Sequence, residues 1–415
     1  MKQAIDTAAD ALRALFPPTP LQFSEHLSAR YGARIHLKRE DLSPVRSYKI
    51  RGAFNFFRKI LATEGAPSRF VCASAGNHAQ GFAFVCRHFG VEGVVFMPVT
   101  TPQQKIDKTR AFGGDFITIR LVGDFFDVCY RAARDHAETS GALMVPPFDD
   151  PDVIEGQGTV AAEIVAQLPD GETPDLVLMP VGGGGLSAGM TAYLDGVLPP
   201  EAFRFCEPLG APSLRASLEE GRVVTLDSVD NFVDGAAVAR IGDLNFEALR
   251  RFAAGQVIVV PENAICVTII HMLNVEGIVL EPAGALAITA LDALAPDAVE
   301  GKTIVAVVSG GNFDFERLPD VKERAMRHAG LKKYFIVRMA QRPGALKDFL
   351  AMLGEEDDIA RFEYLKKSAR NFGSVLIGIE TVRPENFRRL KDAFDAANLT
   401  YQDITYNDIL SNLVI

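Results

Sequence analysis

Short, uninterrupted apolar runs alternate with helical patterns through roughly the first 320 residues, the texture of a chain that lays down strand and helix in turn. "RFVCASAGNHAQGFAFVCRHFG" reads as strand, glycine turn, helix, and "GVVFMPVTTPQQKIDKTRAFG" repeats that order. "DFITIRLVG" adds a strand before the helical "FDVCYRAARDHAETSG". "DLVLMPVGGGGLSAGMTAYL" and "TIVAVVSGGNFD" both run from a strand into glycines. Alternation of this kind predicts an α/β fold with parallel sheets. The runs "VLMPV" and "IVAVV" have no polar positions, as parallel strands covered on both faces require. "AICVTIIHMLNVEGIVLEPAGALAITALDAL" is predicted as two helices broken near Glu281-Pro282, because a residue before proline is disfavoured in a helix. The N-terminal stretch "MKQAIDTAADALRALFPPTPL" reads as a short amphipathic helix and an extended, proline-rich entry.

The pattern changes near residue 330. "LKKYFIVRM" is a strand, "AQRPGALKDFLAML" a turn and helix, "ARFEYLKKSARNFGSVLIGIET" a hairpin-like pair and "RPENFRRLKDAFDAAN" a helix. This βαββα order does not extend the preceding sheet. A boundary is expected within residues 318–331, with "PDVKERAMRHAG" as a connecting helix.

Composition narrows the function. The 415 residues are 48% hydrophobic and 23% charged, with a net charge of -10, which excludes nucleic acid as an expected partner. No apolar run reaches the roughly 18 residues of a membrane span, and the start lacks a signal-peptide layout, so neither membrane association nor export is expected. The five cysteines, Cys72, Cys86, Cys129, Cys206 and Cys266, are dispersed and form no C-x-x-C. Reduced, buried thiols in a cytoplasmic protein are the simplest expectation.

Two features carry candidate chemistry. Lys49, in "VRSYKIRGAFN", stands between Tyr48 and Ile50. Apolar surroundings disfavour an ammonium, and a neutral amine can form an imine or act as a base. Taken alone, Lys49 reads as a surface lysine at a helix start. Gly182, Gly183, Gly184 and Gly185 follow a strand and open a helix, a geometry whose backbone N–H groups bind phosphate. No Lys-Ser/Thr follows, which argues against a P-loop. Gly183-x-Gly185-x-x-Ala188 does fit a loose dinucleotide fingerprint, with Glu207 after the next strand "FRFCEP", so an NAD-dependent dehydrogenase is a rival reading. That rival leaves Lys49, "SAGNHAQG" and "SGGN" without a role.

Six segments in order, "KREDLSPVRSYKIRGAFN", "SAGNHAQG", "PFDDPDVIEGQGT", "PVGGGGL", "EPAGA" and "VSGGN", resemble the threonine dehydratases, fold-type II enzymes dependent on pyridoxal phosphate. The tail resembles the small α+β, ACT-like (ferredoxin-like) regulatory domain of the biosynthetic members. The resemblance implies two twisted parallel-sheet subdomains in a catalytic domain over residues 1–322, the smaller at about 40–150, and an ACT-like domain over 331–415. By motif position it implies that Lys49 forms the Schiff base and Asn77 meets the cofactor's phenolic oxygen. It assigns the phosphate to backbone N–H groups of Gly182, Gly183, Gly184, Gly185 and Leu186, and the pyridine nitrogen to Ser309. The turn at Ser74, Ala75, Gly76, Asn77 and His78 takes the substrate carboxylate.

The implied reaction is dehydration and deamination of L-threonine to 2-oxobutanoate and ammonia, the first committed step of isoleucine biosynthesis, with isoleucine as inhibitor. A neutral Ser309 hydroxyl at the ring nitrogen makes a weaker electron sink than a carboxylate would, which suits prompt loss of a β-hydroxyl. A helix N-cap is the lesser reading of Ser309 and does not exclude the first. Related serine racemases carry a serine where Ala75 stands; Ala75 cannot donate a proton, so elimination is favoured over racemisation. "EPLGAPSL" offers only Glu207 where the racemases hold a metal, and no metal is expected. His78 and His271 read as a turn residue and an isolated helix-packing residue. A serine or general hydroxyamino-acid dehydratase and an idle amino-acid sensor are the remaining alternatives. The tail is expected to sense an amino acid, to assemble a dimer or tetramer, or both.

Overall fold

The structure is a computed structural model that describes residues 1–169, 172–365 and 371–407. The chain divides into two compact units, Met1–Phe315 and Glu316–Ile415. In the first, α1 (Lys2–Leu12), β1 (Leu21–Phe23), α2 (Glu25–Tyr31) and β2 (Arg34–Arg39) lead to α3 (Lys49–Leu61). Strand and helix then alternate through β3 (Arg69–Ala73), α4 (Asn77–Phe89), β4 (Glu92–Met97), α5 (Gln103–Gly113), β5 (Ile117–Leu121), α6 (Phe126–Ser140) and β6 (Leu143–Met144). These four strands pair in parallel in the order β5-β4-β3-β6.

The chain continues through α7 (Pro151–Gln167), β7 (Leu176–Pro180), α8 (Gly185–Leu194), β8 (Phe203–Pro208), α9 (Ser213–Glu220), α10 (Asp243–Leu249) and β9 (Val257–Val260). After these come α11 (Glu262–His271), α12 (Pro282–Thr289), α13 (Pro296–Val299) and β10 (Thr303–Val308). The larger sheet runs β1-β2-β10-β7-β8-β9, parallel except for β1 at its edge. β7 is buried throughout and β10 after its first residue, in keeping with their unbroken apolar sequences. The long helical stretch breaks where its pattern predicts. α11 passes through a π-helical turn to Gly277 at φ +66°, and α12 restarts with Pro282 in its first turn.

The second unit comprises α14 (Leu318–His328), β11 (Lys332–Ala340), α15 (Ala345–Leu350), β12 (Asp357–Leu365), β13 (Phe372–Thr381), α16 (Asn386–Ala396) and β14 (Thr400–Asp403). The helix expected to link two domains, α14, is thus part of this unit, where Glu323 takes a 2.6 Å ion pair from Lys332 on β11. The sheet is antiparallel in the order β12-β13-β11-β14, a ferredoxin-like βαββαβ arrangement. The sequence pattern predicts only βαββα. β14 escaped because "TYQD" is short and mostly polar, and it becomes a strand by pairing with β11. Residues 366–370, between the two hairpin-like strands, lie outside the described residues. The five cysteines are buried, and none is in a disulfide. Among the described residues no helix is long and apolar enough to cross a membrane.

Glycines decide how closely the helices of the first unit approach. A Cβ on Gly156 of α7 would lie 2.7 Å from Gly52 Cα on α3, and one on Gly189 of α8 would lie 2.6 Å from Gly158 N on α7. Glycine inside a helix costs about 0.5–1 kcal/mol relative to alanine. Here it lets α7 touch the backbones of both α3, which begins at Lys49, and α8, which begins in the glycine loop.

Charge fixes the same helices from within. Arg51 is fully buried. It donates to Glu40 Oε2 at 2.7 Å and Oε1 at 2.8 Å, and to Glu163 Oε2 at 2.7 Å and Oε1 at 2.9 Å. Lys38 Nζ donates to the same Glu163 Oε2 at 2.7 Å and to the Thr19 carbonyl at 2.6 Å. β2, the turn after it, α3 and α7 therefore meet in one paired ionic cluster. Burial alone would raise the Glu163 pKa, but the charges and hydrogen bonds of Arg51 and Lys38 outweigh it and hold the carboxyl well below its ordinary range. Glu163→Gln leaves buried cations short of a counter-charge and is expected to destabilise the fold by about 3–5 kcal/mol, read as a lower urea midpoint at unchanged slope. Because the folded pKa is depressed, the wild-type advantage is complete above the unfolded carboxyl value of about 4.3 and shrinks as the pH falls below it. A difference that instead faded above neutrality would contradict this account.

Candidate active site

The ends of β3, β7 and β10 carry the turns at Ser74–Asn77, Gly182–Gly185 and Ser309–Asn312. All are C-terminal ends of parallel strands, where α/β folds place their ligands. Lys49, the first residue of α3, donates from Nζ to the Pro147 carbonyl at 2.9 Å. The amine lies 5.2 Å from the ring centroid of Tyr48 and 5.8 Å from that of Phe148. Burial pushes its pKa down to about 8, against the opposing pull of Glu281.

The glycine loop also meets Phe148. A Cβ on Gly183 would collide with the Phe148 ring, and one on Gly185 would lie 2.8 Å from the Phe148 carbonyl oxygen. Gly184 sits at φ +91°, in the left-handed region that favours glycine. Asn245 Nδ2 donates to the Gly183 carbonyl at 2.7 Å and to the Phe148 carbonyl at 3.2 Å. Asp149 accepts from Asp243 N at 2.9 Å and Leu244 N at 3.0 Å, so the 147–150 segment also caps α10. Among the described residues, no acceptor takes the N–H groups of Gly182, Gly183, Gly184, Gly185 or Leu186. A row of unspent donors on mostly glycine backbone at the start of a ten-residue helix fits a phosphate group in shape and charge.

Asn77 opens α4. Its Nδ2 donates to Glu281 Oε1 at 2.6 Å, and its Oδ1 accepts from Asn312 Nδ2 at 2.8 Å. Ser74 Oγ accepts from Gly76 N at 3.2 Å, which tightens the turn around part-buried Ala75. His78 is buried in the first turn of α4, 3.1 Å from the Val145 carbonyl. Burial, then the Lys49 charge, push its pKa down to about 3, so it is neutral. Ser309 is buried and donates to the Ala283 carbonyl at 3.2 Å. It caps no helix, since the next helical turn is Phe315–Arg317.

Two expectations are corrected. His271 is not isolated: its Nε2 lies 2.6 Å from His26 Nε2. Glu207 is not free to meet a ribose. It is fully buried and accepts from Leu214 N at 2.7 Å and Arg215 N at 2.9 Å, holding the start of α9. The dinucleotide reading loses its acidic partner with it. Sequence reasoning missed Phe148, Asn245, Glu281 and Asn312 as site residues. Phe148, Glu281 and Asn312 lie in the segments "PFDDP", "EPAGA" and "SGGN", so their neighbourhood was visible although their contacts were not.

The family of pyridoxal-phosphate dependent enzymes matches residues 12–310, and the C-terminal regulatory domain of threonine dehydratase matches residues 323–414. The biosynthetic L-threonine dehydratase of Mycobacterium tuberculosis is 49% identical over 380 residues, covering 91% of this chain and 87% of that protein. The corresponding Bacillus subtilis enzyme is 45% identical over 398 residues, covering 96% and 93%. Among solved structures, the processed form of threonine deaminase isoform 2 from Solanum lycopersicum superposes with a TM-score of 0.70 at 36% identity, covering 77% of this chain and 92% of that one. Matched along nearly its whole length, with a half-buried lysine amine and a glycine loop that both meet the 147–148 segment, the chain belongs to the fold-type II pyridoxal-phosphate dependent enzymes, in the group that carries the threonine dehydratase regulatory domain.

Proposed function

We propose that the chain is a threonine ammonia-lyase that converts L-threonine to 2-oxobutanoate and ammonia, the committed step towards isoleucine. The observation that carries this reading is the meeting, at Pro147–Phe148, of the Lys49 amine and the glycine loop with its unspent N–H groups. Lys49 would hold the cofactor covalently. Backbone N–H groups of Gly182, Gly183, Gly184, Gly185 and Leu186 would hold its phosphate, Asn77 its phenolic oxygen and Ser309 its ring nitrogen. Bound there, pyridoxal phosphate supplies an electron sink conjugated to the substrate Cα.

The chain's own groups do the remaining work. An amine with a pKa of about 8 is half deprotonated near that pH, where an ordinary lysine is less than about one per cent so. Neutral Lys49 Nζ can therefore take the Cα proton. Ser309 offers the ring nitrogen a hydroxyl rather than a carboxylate, which favours prompt loss of the β-hydroxyl as water; hydrolysis then frees ammonia. The turn at Ser74, Ala75, Gly76, Asn77 and His78 receives the substrate carboxylate at the start of α4. Ala75 has no proton to deliver opposite Lys49, so elimination prevails over racemisation.

The match of the second unit to a regulatory domain supports an amino-acid effector there, and isoleucine, the end product, is the ligand proposed. It alters the rate only if two states of the enzyme bind it unequally. A dimer or tetramer supplies such states. The buried thiols, none of them in a disulfide, fit a reducing cytoplasm.

Lys49→Ala is expected to lower 2-oxo acid release from threonine more than about a thousandfold and to abolish borohydride fixation of the cofactor at position 49; an active, coloured variant would refute the assignment. In wild-type protein stripped of cofactor, the rate of pyridoxal phosphate uptake is expected to rise with pH around a midpoint near 8, as the amine loses its proton. Gly183→Ala forces Phe148 to move and is expected to weaken cofactor binding by about 1–3 kcal/mol, measured by equilibrium dialysis. Saturating isoleucine is expected to slow turnover. If rate and threonine cooperativity both stay unchanged, the second unit does not sense isoleucine.

A further inference from the structure

The geometry points to Glu281 and Asn312 as positioning residues that fix which way the Asn77 carboxamide faces. This rests on the reading above that Asn77 donates to the cofactor's phenolic oxygen. The two ends of an amide have nearly the same shape, so its orientation is set by its hydrogen-bond partners. The Val45 carbonyl can only accept, and Asn312 meets it with Nδ2 at 2.8 Å. The same Nδ2 reaches Asn77 at 2.8 Å, so the Asn77 atom facing it must be the oxygen. On its other side, Asn77 Nδ2 donates to Glu281 Oε1 at 2.6 Å. The chain of bonds has one direction, and it leaves one Nδ2 hydrogen of Asn77 for a further acceptor.

Both partners are locked against each other. Glu281 is buried, and its carboxylate occupies the place a Cβ on Gly310 would need. The Glu281 N–H donates to the Gly310 carbonyl at 3.3 Å, and a Cβ on Gly284 would collide with that carbonyl. The "EPAGA" and "SGGN" segments thus interlock through glycines, and the product of that interlock is the orientation of Asn77. If the amide turned over, its oxygen would face the phenolic oxygen, acceptor against acceptor.

The test uses holoenzyme variants and two readouts: the visible absorption spectrum of the Lys49-bound cofactor and the dissociation constant of pyridoxal phosphate. Asn312→Asp sets a carboxylate against two acceptors, the Val45 carbonyl and Asn77 Oδ1. It is expected to weaken cofactor binding about tenfold and to move the spectrum towards that of Asn77→Ala. Glu281→Leu removes the other partner and is expected to do the same. Glu281→Gln keeps an acceptor for Asn77 and is expected to restore the wild-type spectrum, which a merely structural role would not require. Wild-type spectra and affinities in both Asn312→Asp and Glu281→Leu, with Asn77→Ala altered, would overturn the proposal and leave the cofactor site standing. An unaltered Asn77→Ala would instead remove the role given to Asn77, and the proposal with it. Absence of a borohydride adduct at Lys49 in wild-type protein would show that the cofactor reading itself had failed.

Discussion

The contact of bare helix backbones at Gly52–Gly156 and Gly158–Gly189 is the constraint on which the rest of the catalytic unit depends. α7 lies between α3 and α8, and a side chain at either contact would push one of them away. Lys49 begins α3, and the glycine loop begins α8. Small residues at the helix contacts therefore set the distance between the Lys49 amine and the glycine loop. The buried Arg51–Glu40–Glu163–Lys38 cluster lies on the same helices and gives their approach a direction as well as a distance. A paired set of buried charges tolerates only arrangements that satisfy all its members, so α3 has little freedom to rotate or slide.

The site itself is assembled from distant segments, each with a limited job. The 147–150 loop touches both Lys49 and the glycine loop, and it caps α10. The low pKa of Lys49 follows from its place in this enclosure more than from a neighbouring cation, because burial is the leading cause and Glu281 opposes it. Glu281 is itself pushed up to about 7 by burial and by the Asp234 charge. Its charge is therefore easily lost near neutral pH, which limits how strongly it can hold Lys49 protonated. The resulting enclosure holds the Lys49 amine at a lowered pKa among hydrogen-bonding groups.

Much of this was legible in the sequence, for identifiable reasons. Apolar strands that run directly into glycines mark strand ends, so the turns at Ser74, Gly182 and Ser309 were visible as candidate ligand positions. Lys49 stood out through its apolar neighbours, and Pro282 placed the start of α12. What was hidden depends on partners far along the chain. Asn77 and Glu281 are 204 residues apart, and nothing in either local pattern announces their bond. Glu207 shows the reverse error. Its position near the end of a strand, β8, fits a ribose ligand, but only the fold reveals that its oxygens are already taken by α9. β14 was missed because an edge strand of four mostly polar residues is made by its neighbour rather than by its own propensity.

The cysteines carry a last consequence. All five are sealed in the interior, and burial pushes the thiols of Cys72, Cys86, Cys129 and Cys206 upward, away from the reactive thiolate. Thiol-directed alkylating agents thus meet a native surface without a cysteine thiolate. The speed at which such reagents consume the thiols becomes a clock for opening of the core, and offers a way to follow breathing of this fold without any added label.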